Sequence, residues 1–145
     1  MIDARRIAND IRDEDREEIA ATSNTGDPFA AIMGSVRRSI RAYVVHADGV
    51  PVCIGGFIPG DQPGTVQGWM LSAKSIESCW RDFCRGAKDT LADIVKDFSL
   101  VYGFVDVRYI KAIRFLLWAG FRDGPVYAMA PKSMPFLKMS LSVGA

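Results

Sequence analysis

The sequence predicts an α/β fold of the α+β kind, a mixed and mostly antiparallel sheet flanked by helices, in a single domain over residues 1–145. Three observations carry this. Apolar residues recur at helical spacing until about Ser39. Two β-rich runs then meet at Asp48 and Gly49, a dipeptide that tolerates the positive φ angles of a tight hairpin. The second half reads helix, strand, helix and two strands, which requires one helix to cross over between parallel strands. With 145 residues, 49% of them hydrophobic, the chain is long enough for one core, since domains commonly run to about 100–200 residues.

The first segment, "ARRIANDIRDEDREEIAATS", is charged. Ile7 and Ile11 lie four apart, and Asp15 is followed three residues later by Glu18, so a helix, a break and a capping-box start to a second helix are expected. Asp27 before Pro28 is a cap followed by a favoured first helical residue. Phe29, Ile32, Met33 and Val36 then mark one face of a helix to about Ser39. "IRAYVVHA" and "VPVCIGGFI" form the hairpin. "TVQGWMLSA" is a third strand, in which Gly68 points to a bulge or a close backbone approach. In "SIESCWRDFCRGAKDTLADIVKDF", Ala87, Leu91, Ile94, Val95 and Phe98 trace a helical face, while the first half reads as a loop or a short separate helix. "SLVYGFVDV" is apolar enough for a strand buried on both faces. "YIKAIRFLLWAGF" is a helix stopped by Gly120, and "VYAMAP" and "PFLKMSLS" are the last two strands.

Composition excludes several functions. Eighteen basic and seventeen acidic residues give a net charge of +1, so no nucleic-acid footprint, polybasic membrane surface or charge-driven partner is expected. No apolar run approaches the roughly 18 residues of a membrane span. Cys53, Cys79 and Cys84 are an odd set with no secretory signal read before them, and are expected as reduced thiols in a cytosolic chain. With His46 the only histidine, a four-ligand zinc site is hard to assemble, and no metal is expected.

The element order, together with "KAIRFLLWAGF", resembles the GCN5-related N-acetyltransferase (GNAT) superfamily. Ala112, Ile113, Gly120 and Phe121 fall on recurrent positions of that segment. The words "IRDEDREEIAA", "DGVPVCIGGF", "GWML" and "VDVRYIKAIRFLLWAGF" are further similar to small acetyltransferase-like proteins of short-tailed bacteriophages, some labelled internal virion proteins. The resemblance implies acetyl-CoA as co-substrate, bound between "TVQGWMLSA" and "SLVYGFVDV". It also implies an amine acceptor, such as a protein lysine or small amine, and the host cytoplasm as the location. The alternative it carries is a non-catalytic phage protein that binds a host factor or supports virion assembly. Strand edges after Pro125 offer a route to a homodimer.

The resemblance also suggests site residues. A main-chain N–H around Met70, Leu71 and Ser72 would meet the thioester oxygen. The pyrophosphate signature can be laid on the chain in two registers, one through Arg81, Cys84 and Gly86, with Cys84 in place of the middle glycine, and one through Asp82, Arg85 and Ala87, which lacks the starting Arg and the first glycine. Arg81, Arg85 and Lys88 could add side-chain charge toward phosphates. Where the superfamily often has a proton-donating tyrosine stands Leu116, and where it often has an asparagine stands Tyr109. Asp106, at the end of the buried strand, is the preferred acidic candidate. Tyr109 and Tyr127 are candidate proton donors, and His46 a candidate base. Each of these side chains also has an ordinary packing, turn or surface role open to it.

Overall fold

The computed structural model, which describes residues 2–143, contains five α-helices and six strands among them. In chain order these are α1 (Ile2–Asn9), α2 (Asp13–Thr22), α3 (Pro28–Arg38), β1 (Arg41–Ala47), β2 (Val50–Pro59) and β3 (Thr65–Ser72). A 3-10 turn (Lys74–Cys79) leads into α4 (Trp80–Asp97), followed by β4 (Leu100–Asp106), α5 (Ile110–Trp118), β5 (Arg122–Met129) and β6 (Met134–Leu141). The strands form one sheet in the order β1-β2-β3-β4-β6-β5. Every neighbouring pair is antiparallel except β3 and β4, which α4 joins as a crossover.

Local chemistry explains the boundaries. Asp27 caps α3 by accepting from the Phe29 amide at 3.1 Å, with Pro28 at the first helical position; such a cap contributes about 1 kcal/mol. Asp48 and Gly49 both take positive φ, 51° and 78°, as the two-residue hairpin turn between β1 and β2 requires. Apolar clusters cover both faces of the sheet. Ile7, Ile11, Ile19 and Ile32 of the first helical region pack on Ile54 and Leu71. Ile94, Val95 and Phe115 of α4 and α5 pack with Val66, Val101 and Met139. Because side chains alternate along a strand, Leu71 and Val66 face opposite sides of the sheet, so α1 to α3 lie on one face and α4 and α5 on the other.

Two local expectations change. α2 starts at Asp13 after Arg12, with no side-chain cap, so Asp15 and Glu18 do not form a capping box. Asp15 is instead 3% exposed and bound to Arg12, three residues before it, and to the Ser72 amide, remote in sequence. Gly68 is not at a bulge, since the β2–β3 register runs unbroken past it. A Cβ there would meet Phe57 at 3.5 Å and the Tyr102 carbonyl oxygen at 3.9 Å, which is ordinary contact. Register shifts occur elsewhere, between Val45 and His46 and between Asp123 and Val126.

Candidate active site

β3 and β4 pair only from Thr65–Leu100 to Gln67–Tyr102 and then part. Past that point β3 runs on to Ser72 and β4 to Asp106 without bonding to each other. What holds the gap open is the junction of α1 and α2. The Arg12 amide donates to the Ser72 carbonyl at 2.9 Å, and the Ser72 amide donates to Asp15 Oδ2 at 2.8 Å. Asp15 is in turn held by Arg12 Nε at 3.1 Å and by a second guanidinium nitrogen at 3.4 Å. Burial raises the Asp15 pKa and Arg12 opposes it.

These bonds also orient the strand. Ser72 directs its backbone groups away from β2, whereas the Ala73 amide donates back to Val52 of β2 at 2.9 Å. Backbone groups alternate in direction along a strand, so the Met70 N–H points to the same side as that of Ser72, into the space β4 has left. Of the three main-chain donors expected here, the Met70 amide therefore faces the gap, the Leu71 amide turns toward β2, and the Ser72 amide is spent on Asp15 and cannot serve.

The gap belongs to a cavity of about 650 Å³ that passes between the strands, with Met70, Leu71, Gly86, Ala87, Tyr109 and Leu116 among its lining residues. Its walls are mostly apolar, and its charged lining residues are Arg12, Asp15, Glu18 and Asp82. Glu18 has no hydrogen-bond or ion-pair partner among the described residues. Burial, followed by repulsion from Asp15 and Asp106, pushes its carboxyl up to about 8. Sequence reading missed this residue because it took Glu18 for a helix cap. Nothing local shows that α2 turns it toward a strand gap.

The expected catalytic side chains are placed differently from one another. Asp106 is fully buried and saturated by Arg108, whose amide and Nε both donate to Oδ1 at 2.9 Å while Nη2 donates to Oδ2 at 2.6 Å. Those bonds lower its pKa, and it is not among the cavity-lining residues, so the geometry leaves it no opening to act as a base. His46 lies on edge strand β1, its side chain 44% exposed and its Nε2 3.1 Å from Asp3 Oδ2, outside the cavity lining. Tyr109 does line the cavity, at the N-cap of α5, but its hydroxyl donates to the Glu14 carbonyl. Burial holds that phenol well above its usual range. Tyr127 is exposed on β5 and packs edge-on against Phe104.

The pyrophosphate segment also lies elsewhere than expected. α4 begins at Trp80 directly after the 3-10 turn, so Arg81, Arg85, Gly86 and Ala87 are all helical. Only the first turn of a helix has free N–H groups. In either register, the Gly86 or Ala87 amide is therefore committed inside the helix. Side chains provide what the backbone does not. A second, open groove of about 760 Å³ between α4 and α5 is lined by Trp80, Arg81, Arg85, Lys111, Arg114 and Trp118, among others. Lys111 lies over the Trp80 ring at 4.7 Å and ion-pairs with Glu77, and Arg85 meets Asp82 at 3.7 Å. Arg81 and Arg114 have no ion-pair partner among the described residues.

Cys53, Cys79 and Cys84 are all free, and burial pushes the Cys53 thiol up to about 12. Among the described residues, no group of three potential metal ligands occurs, and no helix is long and apolar enough to cross a membrane.

Solved structures share this fold. An acetyltransferase of the GNAT family from Bacillus anthracis superposes with a TM-score of 0.71 at 9% identity, covering 97% of this chain and 89% of that one. The chain has the GNAT fold. A spermidine N-acetyltransferase chimera from Vibrio cholerae follows at a TM-score of 0.65 and 16% identity, over 97% of this chain and 89% of that one. An acetyltransferase from Bacillus subtilis in complex with CoA matches at 0.63 and 11% identity, over 79% and 83%. No protein-family model and no curated protein sequence matches the chain. At these identities the likeness establishes the GNAT fold alone.

Proposed function

We propose that the protein is an acetyl-CoA-dependent N-acetyltransferase acting on an amine. The observation that carries this reading is the gap between β3 and β4, open from Gln67 and Tyr102 onward and faced by the Met70 amide. The chain's residues fit such a co-substrate at three places. The Met70 N–H can receive the thioester carbonyl oxygen and stabilise the negative charge it acquires when the carbonyl carbon becomes tetrahedral. Gly86, inside a helix, has nothing within 4 Å of the position of an added Cβ, so no contact within the protein requires a glycine there. A ligand passing close to the helix would. Arg81 and Arg114, in the groove between α4 and α5, supply cations for phosphates in place of backbone donors. Acetyl-CoA supplies the activated acetyl group, and the protein's part is to position it, polarise its carbonyl and exclude water.

Relatives of the fold bear such ligands: the Bacillus subtilis structure contains CoA, and an aminoglycoside acetyltransferase structure contains coenzyme A with kanamycin. The acceptor here is proposed as a small amine or protein lysine. The words shared with short-tailed phage proteins support a phage origin and action in the host cytoplasm, and the exposed edge strand β5 supports self-association.

A second reading is favoured by Leu116 in the proton donor's place and by the committed Tyr109 hydroxyl: a non-catalytic protein of the same fold that contacts a host factor. Thiol release from acetyl-CoA, followed with a colorimetric reagent in the presence of amines, separates the two. Amine-dependent release with an acetylated product detected by mass supports the enzyme. Release no faster than buffer hydrolysis leaves the second reading.

A further inference from the structure

Resting on the acetyl-transfer reading, we propose that Glu18 is the acceptor-side catalytic residue, and that the site is built for a primary monoamine on an apolar body rather than for a polyamine. The argument begins with charge bookkeeping inside the cavity that passes between β3 and β4. Its charged lining residues are Arg12, Asp15, Glu18 and Asp82. Asp15 is taken by Arg12 and the Ser72 amide, and Asp82 by Arg85. Only the Glu18 carboxylate lacks a partner among the described residues, and an unpaired half-buried carboxylate is stabilised by a cation brought to it.

The groups around Glu18 make that cation an arriving one. Asp15 on its own helix and Asp106 at the end of β4 both repel its charge, and Arg12, already committed to Asp15, attracts it only weakly. Arg108, the other cation nearby, is held by Asp106 and Glu17. Tyr109 faces the cluster as a neutral phenol. Ile19, Leu71 and Trp69 line the same cavity, so the rest of an acceptor meets apolar surface. A second or third ammonium on a polyamine would find no free carboxylate along that wall and would lose its hydration without compensation.

The chemistry balances with groups already named. The ammonium of the acceptor gives one proton to the Glu18 carboxylate. The freed lone pair forms the N–C bond at the thioester carbonyl, whose oxygen rests on the Met70 N–H. The C–S bond then breaks, the remaining surplus proton on nitrogen passes to the departing thiolate, and Glu18 releases its proton to solvent. Glu18 must be ionised to accept, so kcat/KM rises as pH passes through about 8, until the amine itself is neutral in solution.

The test uses the whole chain with benzylamine and spermidine as probes, comparing wild type with Glu18→Gln. Expected are acetylation of benzylamine in preference to spermidine, a loss of about 100-fold or more in kcat/KM for Glu18→Gln, disappearance of the pH limb near 8, and unchanged acetyl-CoA affinity by calorimetry. A variant with wild-type rate and pH profile, or spermidine used as well as benzylamine, overturns the proposal. If wild type binds no acetyl-CoA, the reading beneath it fails separately. Saturable benzylamine binding by ligand-observed NMR, lost in Glu18→Gln, would then still support the amine site, and binding that is absent or unchanged would refute it.

Discussion

Gly86 and Glu18 are residues whose identity the packing of the fold does not explain. A glycine within a helix costs about 0.5–1 kcal/mol against alanine, and at Gly86 no neighbour would obstruct a Cβ. Gly86→Ala is expected to raise stability by that amount in urea denaturation while weakening acetyl-CoA binding several-fold. Unchanged binding would show that no ligand approaches there. Glu18 makes the opposite trade. Its carboxyl is about 8 in the folded chain against 4.5 for the unperturbed group, so between these values the native state keeps a proton that the unfolded state has lost. Stability therefore falls as pH rises across that window. Glu18→Gln is expected to match wild type in thermal unfolding near pH 4.5 and to gain on the order of 2–4 kcal/mol above about pH 8. A gain independent of pH would contradict the burial argument.

Among the elements, those whose cause is local were legible in sequence. The Asp27–Pro28 helix start and the Asp48–Gly49 turn each depend on neighbours a few positions apart, and each stands where the residues placed it. Part of what could not be read depends on contacts far along the chain. Asp15 and Glu18 have a capping-box spacing, but the Ser72 amide, 57 positions away from Asp15, draws that helix turn into the sheet and makes Asp15 a strut. Likewise, the apolar period of α4 gave its body, but not its start at Trp80, which absorbs the pyrophosphate segment into the helix. Asp106 looked available at a strand end until Arg108, two residues on, folded back onto it. Removing the strut tests this scale. Asp15→Ala leaves the Arg12 guanidinium, 6% exposed, without its buried partner and is expected to cost about 3–5 kcal/mol by urea denaturation. A loss below about 1 kcal/mol would mean that Arg12 finds its partner elsewhere, with Glu77 at 3.9 Å the candidate.

For the whole molecule, the proposed site uses both faces of one sheet. α1 to α3 close the proposed acceptor side around Glu18, α4 and α5 present cations and tryptophans on the other, and the parted strands β3 and β4 connect them. This division explains how a chain lacking the expected tyrosine at Leu116 and a backbone phosphate loop can keep the site's frame: the Met70 amide and the groove cations do not depend on either. Calorimetric titration of acetyl-CoA into wild type and an Arg81→Glu/Arg114→Glu double variant, at two salt concentrations, tests that frame most directly. The account predicts saturable one-to-one binding to wild type, weaker by about tenfold or more in the variant and weaker at high salt. No heat and no thermal shift with wild type at millimolar acetyl-CoA would contradict it.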